Sequence, residues 1–185
     1  IDNEAQRLSI LVENILQFSR GEKGSFSLIL EPVKIAPLVR EITDQFRPLL
    51  KDNHRLMVAI NIDEGLEISL DTQAFRQIVV NLLDNAVKYS PSGTTVDVSL
   101  ESEASRIKLS VTDQGPGISR SEKSKIWEPY YRVARKEHSA IGGNGIGLSV
   151  VKELVKLHRA NVSIIDSERG GSEFVIDFPQ MDRAL

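Results

Sequence analysis

The sequence predicts an α/β protein, a two-layer sandwich in which a mixed, mainly antiparallel sheet carries helices on one face. Three observations lead there. Two adjacent runs alternate as half-buried strands do: Val96, Val98 and Leu100 with Asp97 and Ser99, then Ile107, Leu109 and Val111 with Lys108, Ser110 and Thr112. Between strand-like runs lie segments with apolar residues three and four apart, over 35–50, 72–89 and 148–158. A closing pair of apolar runs, 162–165 and 174–178, flanks Arg169, Gly170 and Gly171 as the arms of a hairpin.

Taken in order, residues 5–18 place Leu8, Leu11, Val12, Ile15 and Phe18 on one stripe, which predicts an amphipathic helix. A helix that short is marginal alone and needs a partner to cover its stripe. The polar, glycine-containing stretch after it sets the boundaries: a leading helix over 1–20, a linker over 21–25, a main domain over 26–180 and a tail over 181–185. The domain is expected to open with a strand over 26–31 and a helix over 35–50 that carries Leu38, Val39, Ile42 and Phe46 inward. Leu56, Val58, Ile60 and Ile62 alternate as a strand. Asp71 is a good N-cap for a long apolar helix ending near Tyr89, where Ser90, Pro91, Ser92 and Gly93 stop it. Residues 101–105 are expected to join the two clearest strands. From Gly115 to Gly147 the pattern is irregular, and so long a loop inside a compact domain predicts a functional lid.

Composition narrows the function. With 185 residues, 41% hydrophobic and 26% charged, this is an ordinary globular chain of one domain plus an appendage. A formal net charge of −3 gives no basic excess for a phosphate backbone, which argues against nucleic acid as a partner. The absence of cysteine excludes thiolate metal sites, cysteine nucleophiles and disulfides, and a cytoplasmic location is the expectation. No apolar run approaches the roughly 20 residues that span a bilayer, so no direct membrane contact is expected. The first residue is not Met and lies in helix-like sequence, so the chain is expected to be part of a longer protein that could itself be membrane-anchored.

The apolar run from Ile78 to Tyr89 is interrupted by Asn81, Asn85 and Lys88, whose i, i+4, i+7 spacing sets two amides and an ammonium on one stripe. Buried polar groups of this kind cost free energy unless something polar faces them. Mg²⁺ would accept an amide oxygen, and phosphates would meet the Lys. A structural reading stays open: Asn81 capping a loop, Asn85 bonding a strand edge, Lys88 reaching solvent. Asp113, directly after a strand and followed by Gly115 and Gly117, suits a carboxylate receiving the amino group of adenine, although many turns place glycines after an Asp. The glycines at 142, 143, 145 and 147 run straight into a helix, whose exposed N–H groups form an anion site. Neither a Walker loop nor a dinucleotide loop fits their spacing.

In this order, residues 81–90 (NLLDNAVKYS), 113–118 (DQGPGI), 127–132 (WEPYYR) and 142–151 (GGNGIGLSVV) resemble the N, first G, F and second G boxes of the ATP-binding catalytic domain of two-component sensor histidine kinases. The resemblance covers about 26–179 and implies the Bergerat ATP-binding fold of that superfamily. Residues 7–24 resemble the second helix of the family's dimerisation and histidine-phosphotransfer domain, whose first helix is expected outside this chain. The resemblance implies ATP and Mg²⁺ as ligands. Asn85 would hold the metal, with Asn81 beside the phosphates, Lys88 on a phosphate and Tyr89 against base or ribose. Asp113 would take the adenine amino group, with Gly115, Gly117 and Ile118 forming the pocket. Gly143, Gly145 and Gly147 would bind phosphates and hinge the lid, and Leu148 would pack near the base. Arg132 would order the lid or approach the γ-phosphate, while Trp127, Tyr130 and Tyr131 read as packing anchors.

Hydrolytic members of the wider superfamily place a Glu one turn before the Mg-binding Asn to activate water. Asn81 stands there instead, and an amide is no general base at neutral pH. That favours a kinase over an ATP hydrolase. A nucleotide-sensing adaptor is the third reading. None of His54, His138 and His158 has the family's phosphoacceptor context, so the acceptor is expected outside this chain. Implied partners are the chain's own phosphoacceptor-histidine domain, a response-regulator receiver domain and, in the intact protein, a second copy as homodimer.

Overall fold

The computed structural model describes residues 27–50, 53–103, 105–133 and 144–179. The leading helix over 1–20, the linker over 21–25 and the tail over 181–185 lie outside the described residues. Two sheets and three helices are present among those described. Strand β1 (Glu31–Lys34) is followed by helix α1 (Ile35–Phe46), β2 (Arg55–Asn61), β3 (Glu67–Leu70) and helix α2 (Thr72–Tyr89). Then come β4 (Thr95–Glu103), β5 (Arg106–Thr112), helix α3 (Gly147–Leu157), β6 (Asn161–Asp166) and β7 (Ser172–Pro179).

The main sheet has the order β2-β4-β5-β7-β6, with β2 parallel to β4 and every other pairing antiparallel. This is the mixed, mainly antiparallel sheet that the alternation predicts. Alternation also sets the register: Val98 faces Val111 across β4 and β5, and Leu109 faces Ile176 across β5 and β7. Those inward residues form one core with Ile78, Val79, Leu82 and Leu83 of α2 and Val151, Leu154 and Val155 of α3. Burying apolar side chains there is the main favourable term, at about 25 cal/mol per Å².

Five elements differ from expectation. The first strand is Glu31–Lys34 rather than 26–31, because its partner is β3, against which Glu31 pairs with Leu70 and Lys34 with Glu67. β3 itself is four residues long, too short for alternation to announce. Helix α1 ends at Phe46, and Arg47–Leu49 tightens into a 3-10 turn, since Pro48 has no N–H to continue the ladder. Strands β4 and β5 extend to Glu103 and Arg106, which face each other across the turn. The ribbon's exposed tip keeps its backbone pairing after the apolar alternation has stopped. The N-cap of α2 is as expected, with the Ala74 N–H donated to Asp71 Oδ1 at 2.9 Å.

Candidate functional site

Helix α2 brings the polar stripe into the core. Asn81 is only 4% exposed, and Asn85 and Lys88 are half-buried one and two turns further along. Lys88 forms an ion pair with Asp84, one turn before it on the same helix. Asn81 lies against the first residue of α3: a Cβ on Gly147 would stand 3.2 Å from Asn81 Oδ1. The amide stripe and the N-terminus of α3 therefore share one place, as the two motifs require if they serve one ligand.

The approach to α3 is equally constrained. The Asn144 side-chain oxygen accepts the Ile146 N–H at 3.2 Å, and Gly145 has φ of 71°, the left-handed region that glycine tolerates best. A Cβ on Gly145 would meet the Tyr130 backbone at 2.8 Å, and the Tyr130 N–H donates to the Gly145 carbonyl at 2.9 Å. Residues 130 and 145 are thus clasped backbone to backbone. Gly143 lies outside the described residues, as does the interior of the expected lid at 134–143. Leu148 and Ile118 are half-buried against the core, and Arg132 is exposed.

Asp113 ends β5 in a crowded corner. It is 6% exposed, and its Oδ1 accepts the Gly115 N–H at 2.7 Å and the Ser172 N–H at 3.2 Å. Burial pushes the carboxyl above the ordinary carboxylate range, while those two N–H groups pull it back by stabilising the anion. Both bonds end on Oδ1, so Oδ2 is the oxygen that an external donor would meet. Tyr89, at the end of α2, reaches this corner through its carbonyl, 2.7 Å from where a Gly115 Cβ would be. Gln114 donates its N–H to Ser90 Oγ at 3.3 Å, and Gly117, with φ of 69°, faces the Gly171 carbonyl. The carboxylate corner therefore lies at the C-terminal end of the helix that carries the amide stripe.

Four residues here escaped the sequence reading. Gly171 and Ser172 sit in what reads as an ordinary hairpin turn, yet a Cβ on Gly171 would lie 2.2 Å from the Asp113 carbonyl oxygen. Only the pairing of β7 with β5 reveals that approach. Ser90 reads as a helix stop. Asp84 was legible, since an acid four residues before Lys88 is a helical ion pair by spacing alone. Among the aromatics, Trp127 packs edge-on against Phe174 with ring centroids 6.0 Å apart, as an anchor should, whereas Tyr130 is 65% exposed. His54 accepts or donates at Nδ1 to Thr94 Oγ1 at 3.2 Å in a buried position before β2, and His138 lies outside the described residues. His158 caps α3 as a buried ring whose Nδ1 donates to the Leu154 carbonyl at 2.7 Å. Among the described residues no helix is long and apolar enough to cross a membrane.

This geometry has close counterparts among known proteins. The chain is 30% identical over 187 aligned residues to the autoinducer 2 sensor kinase/phosphatase LuxQ of Vibrio harveyi, covering 98% of this chain and 22% of LuxQ. It is 28% identical to the sensor histidine kinase WalK of Bacillus subtilis, covering 96% of this chain and 29% of WalK. It therefore spans less than half the length of these relatives. Among solved structures, the mycobacterial sensor histidine kinase MprB superposes with a TM-score of 0.69 at 28% identity, covering 82% of this chain and 97% of that one. Full-length ShkA in complex with AMPPNP gives 0.78 at 26% identity, covering 97% and 37%. The matched family region, residues 70–182, holds the α2 stripe, the Asp113 corner and the start of α3 together, and the chain belongs to the histidine kinase-, DNA gyrase B- and HSP90-like ATPase family.

Proposed function

We propose that this chain is the ATP-binding catalytic domain of a sensor histidine kinase, which passes the γ-phosphoryl group of ATP to a histidine outside the chain for relay to a response-regulator aspartate. The observation that carries it is Asn81: a buried amide at the meeting of α2 and α3, where a hydrolase needs a carboxylate to activate water. The next acid along the helix, Asp84, is bound to Lys88. The site holds and orients a phosphoryl donor and leaves the nucleophile to come from elsewhere.

In this reading Asp113 Oδ2 accepts the adenine amino group in the corner shaped by Gly115, Gly117 and Ile118, with Tyr89 and Leu148 against the base. Lys88 leaves Asp84 for a phosphate, and the N-terminus of α3 at Gly145 and Gly147, with Gly143, receives the phosphate chain. Asn81 stays beside the phosphates, and Arg132 serves the lid or the γ-phosphate. Mg²⁺ fits this donor set. Among the described residues no group of three His, Cys, Asp or Glu could hold a metal, and Mg²⁺ characteristically takes one or two protein oxygens and completes its shell from phosphates and water. Asn85 would supply that oxygen, and a bound ion would supply charge neutralisation at the phosphoryl group. The AMPPNP held by ShkA supports a nucleotide here.

The leading residues 1–20 are proposed as the second helix of a dimerising phosphoacceptor domain, with a response regulator as downstream partner and a cytoplasmic location for this part of the protein. The test is transfer of label from γ-labelled ATP to an added phosphoacceptor-histidine domain, comparing wild type with Asn85→Ala. Transfer that falls by about 100-fold or more in the variant is expected, in line with loss of a metal ligand. Steady phosphate release by this chain alone would make it a hydrolase, and tight nucleotide binding without transfer would make it an adaptor. Label on His54, His138 or His158 would overturn the placement of the acceptor.

A further inference from the structure

Asp71 stands where three segments meet, at the N-terminus of α2 and away from Asn81 midway along it. Its Oδ1 caps α2, and its Oδ2 accepts the N–H of Ile29 at 2.9 Å from the extended stretch that leads into β1. Its own N–H donates to His158 Nε2 at 3.1 Å. His158 donates from Nδ1 to the Leu154 carbonyl at 2.7 Å, which fixes the tautomer and leaves Nε2 as the acceptor Asp71 needs. The imidazole is 4% exposed and stands edge-on to Phe178, whose ring packs against Phe75 of α2. Glu31 adds a longer contact to Thr72 Oγ1 at 3.5 Å.

The two helices joined here are the two that build the nucleotide site. Midway along α2, Asn81 lies against Gly147 at the start of α3, and Asp71 at the start of α2 is bonded to His158 at the close of α3. About ten residues separate Asp71 from Asn81, and about eleven separate Gly147 from His158, or roughly 15 and 16 Å at the helical rise. The N-terminal half of α2 and the whole of α3 therefore run side by side in opposite directions, pinned at two points. A helix transmits displacement along its axis as a stiff body, so a shift at the Asn81–Gly147 end is carried to the Asp71–His158 end. There it meets the backbone of Ile29, whose side chain is 79% exposed and so anchors this residue little. The hydrogen bond to Asp71 ties the strand's approach to the helices.

We infer that Asp71 and His158 are positioning residues that couple nucleotide occupancy between α2 and α3 to the stretch entering β1, and so aim the catalytic domain at its acceptor. The physical content is a contiguous set of bonds shared by two rigid elements and a chain segment. The inference rests on the proposed function for what fills the site and for what the aiming serves.

Asp71→Asn isolates the tie, because an Asn cap still accepts the Ala74 N–H while its amide nitrogen cannot accept that of Ile29. His158→Phe keeps the ring packing against Phe178 and removes the acceptor for the Asp71 N–H. Amide hydrogen exchange is measured with and without Mg-AMPPNP. In wild type the nucleotide should slow exchange at Ile29 by about fivefold or more, the scale of one hydrogen bond. In both variants that response should vanish, with the Ala74 amide still protected in Asp71→Asn. In the full-length protein both should lower phosphotransfer to the histidine by about fivefold with nucleotide Kd unchanged. An Ile29 amide indifferent to nucleotide, an unchanged response in both variants, or a parallel loss of Kd and transfer would overturn the coupling. Failure of wild type to bind Mg-AMPPNP by calorimetry would instead overturn the proposed function.

Discussion

Asp113 shows how a carboxylate proposed for ligand binding draws on stability. A carboxyl buried at the end of β5 is held above its ordinary range by loss of solvent. Its pKa is raised on folding, so the folded state binds its proton more tightly than the unfolded chain does. The buried charge then costs stability, and the cost grows as pH rises from the ordinary carboxylate value through the raised one. Asp113→Asn removes the charge while its Oδ1 can still accept the Gly115 and Ser172 N–H groups. In the proposed site it would, however, place an NH₂ where the adenine amino group is to donate. We expect a thermal midpoint at pH 7 equal to or above wild type, with nucleotide affinity down by about 10- to 100-fold for a lost charge-assisted bond. Calorimetric melting and nucleotide titration on one sample check both halves, and a variant that binds normally would remove Asp113 from the site. Asn81 makes the complementary point. Its burial against Gly147 ties it to the packing of two helices as well as to any phosphate, so its substitution will mix stability with function.

At the scale of elements, the hairpin between β6 and β7 packs against the Asp113 corner of the proposed site. Gly170 and Gly171 both have positive φ, 79° and 87°, so Ala strains the backbone at either. Their surroundings differ. A Cβ at Gly170 meets nothing within 4 Å, whereas at Gly171 it collides with the Asp113 backbone and carboxylate at 2.2 and 2.7 Å. Gly170→Ala should cost about 1–2 kcal/mol, the scale of left-handed strain, and leave nucleotide binding intact. Gly171→Ala should cost about 3 kcal/mol or more and also weaken nucleotide binding, because Asp113 must move. Urea unfolding with parallel nucleotide titration separates them, and equal effects of the two would show that the hairpin does not support the Asp113 corner. Helices α2 and α3 illustrate the same dependence. Each is amphipathic by sequence, but their joint purpose arises from being pinned at Asn81–Gly147 and at Asp71–His158.

For the whole molecule, His158 contributes to the acid limb of stability. Burial lowers its pKa below the ordinary imidazole value, with the Leu154 bond and the nearby Asp71 acting in the opposite direction. The fold therefore prefers the neutral ring. That preference stabilises fully above the ordinary value near 6.5 and is lost as pH falls through the depressed value. Asp113 acts in the other sense, its cost easing as pH falls toward the ordinary carboxylate value. Thermal midpoints measured from pH 7 to 5 should fall in wild type and flatten in His158→Phe over that interval. A variant whose profile tracked wild type would assign the loss to other groups.

Periodicity was enough to reveal the layered α/β class, the α2 cap at Asp71 and the apolar faces that make the core, because alternation and three-to-four spacing are local records of which side is buried. The motif order was likewise enough to bring Asn81, Asn85, Lys88 and Asp113 forward as one candidate site. β3, the true extent of β1, and the closeness of Gly171 and Ser172 to Asp113 were not legible, since each depends on a partner strand far along the chain. Nor could spacing show that His158 would bond to Asp71, a residue 87 positions away. Local chemistry names the groups that must avoid or seek water; which of them end up touching is settled by the sheet order and the packing of α2 against α3.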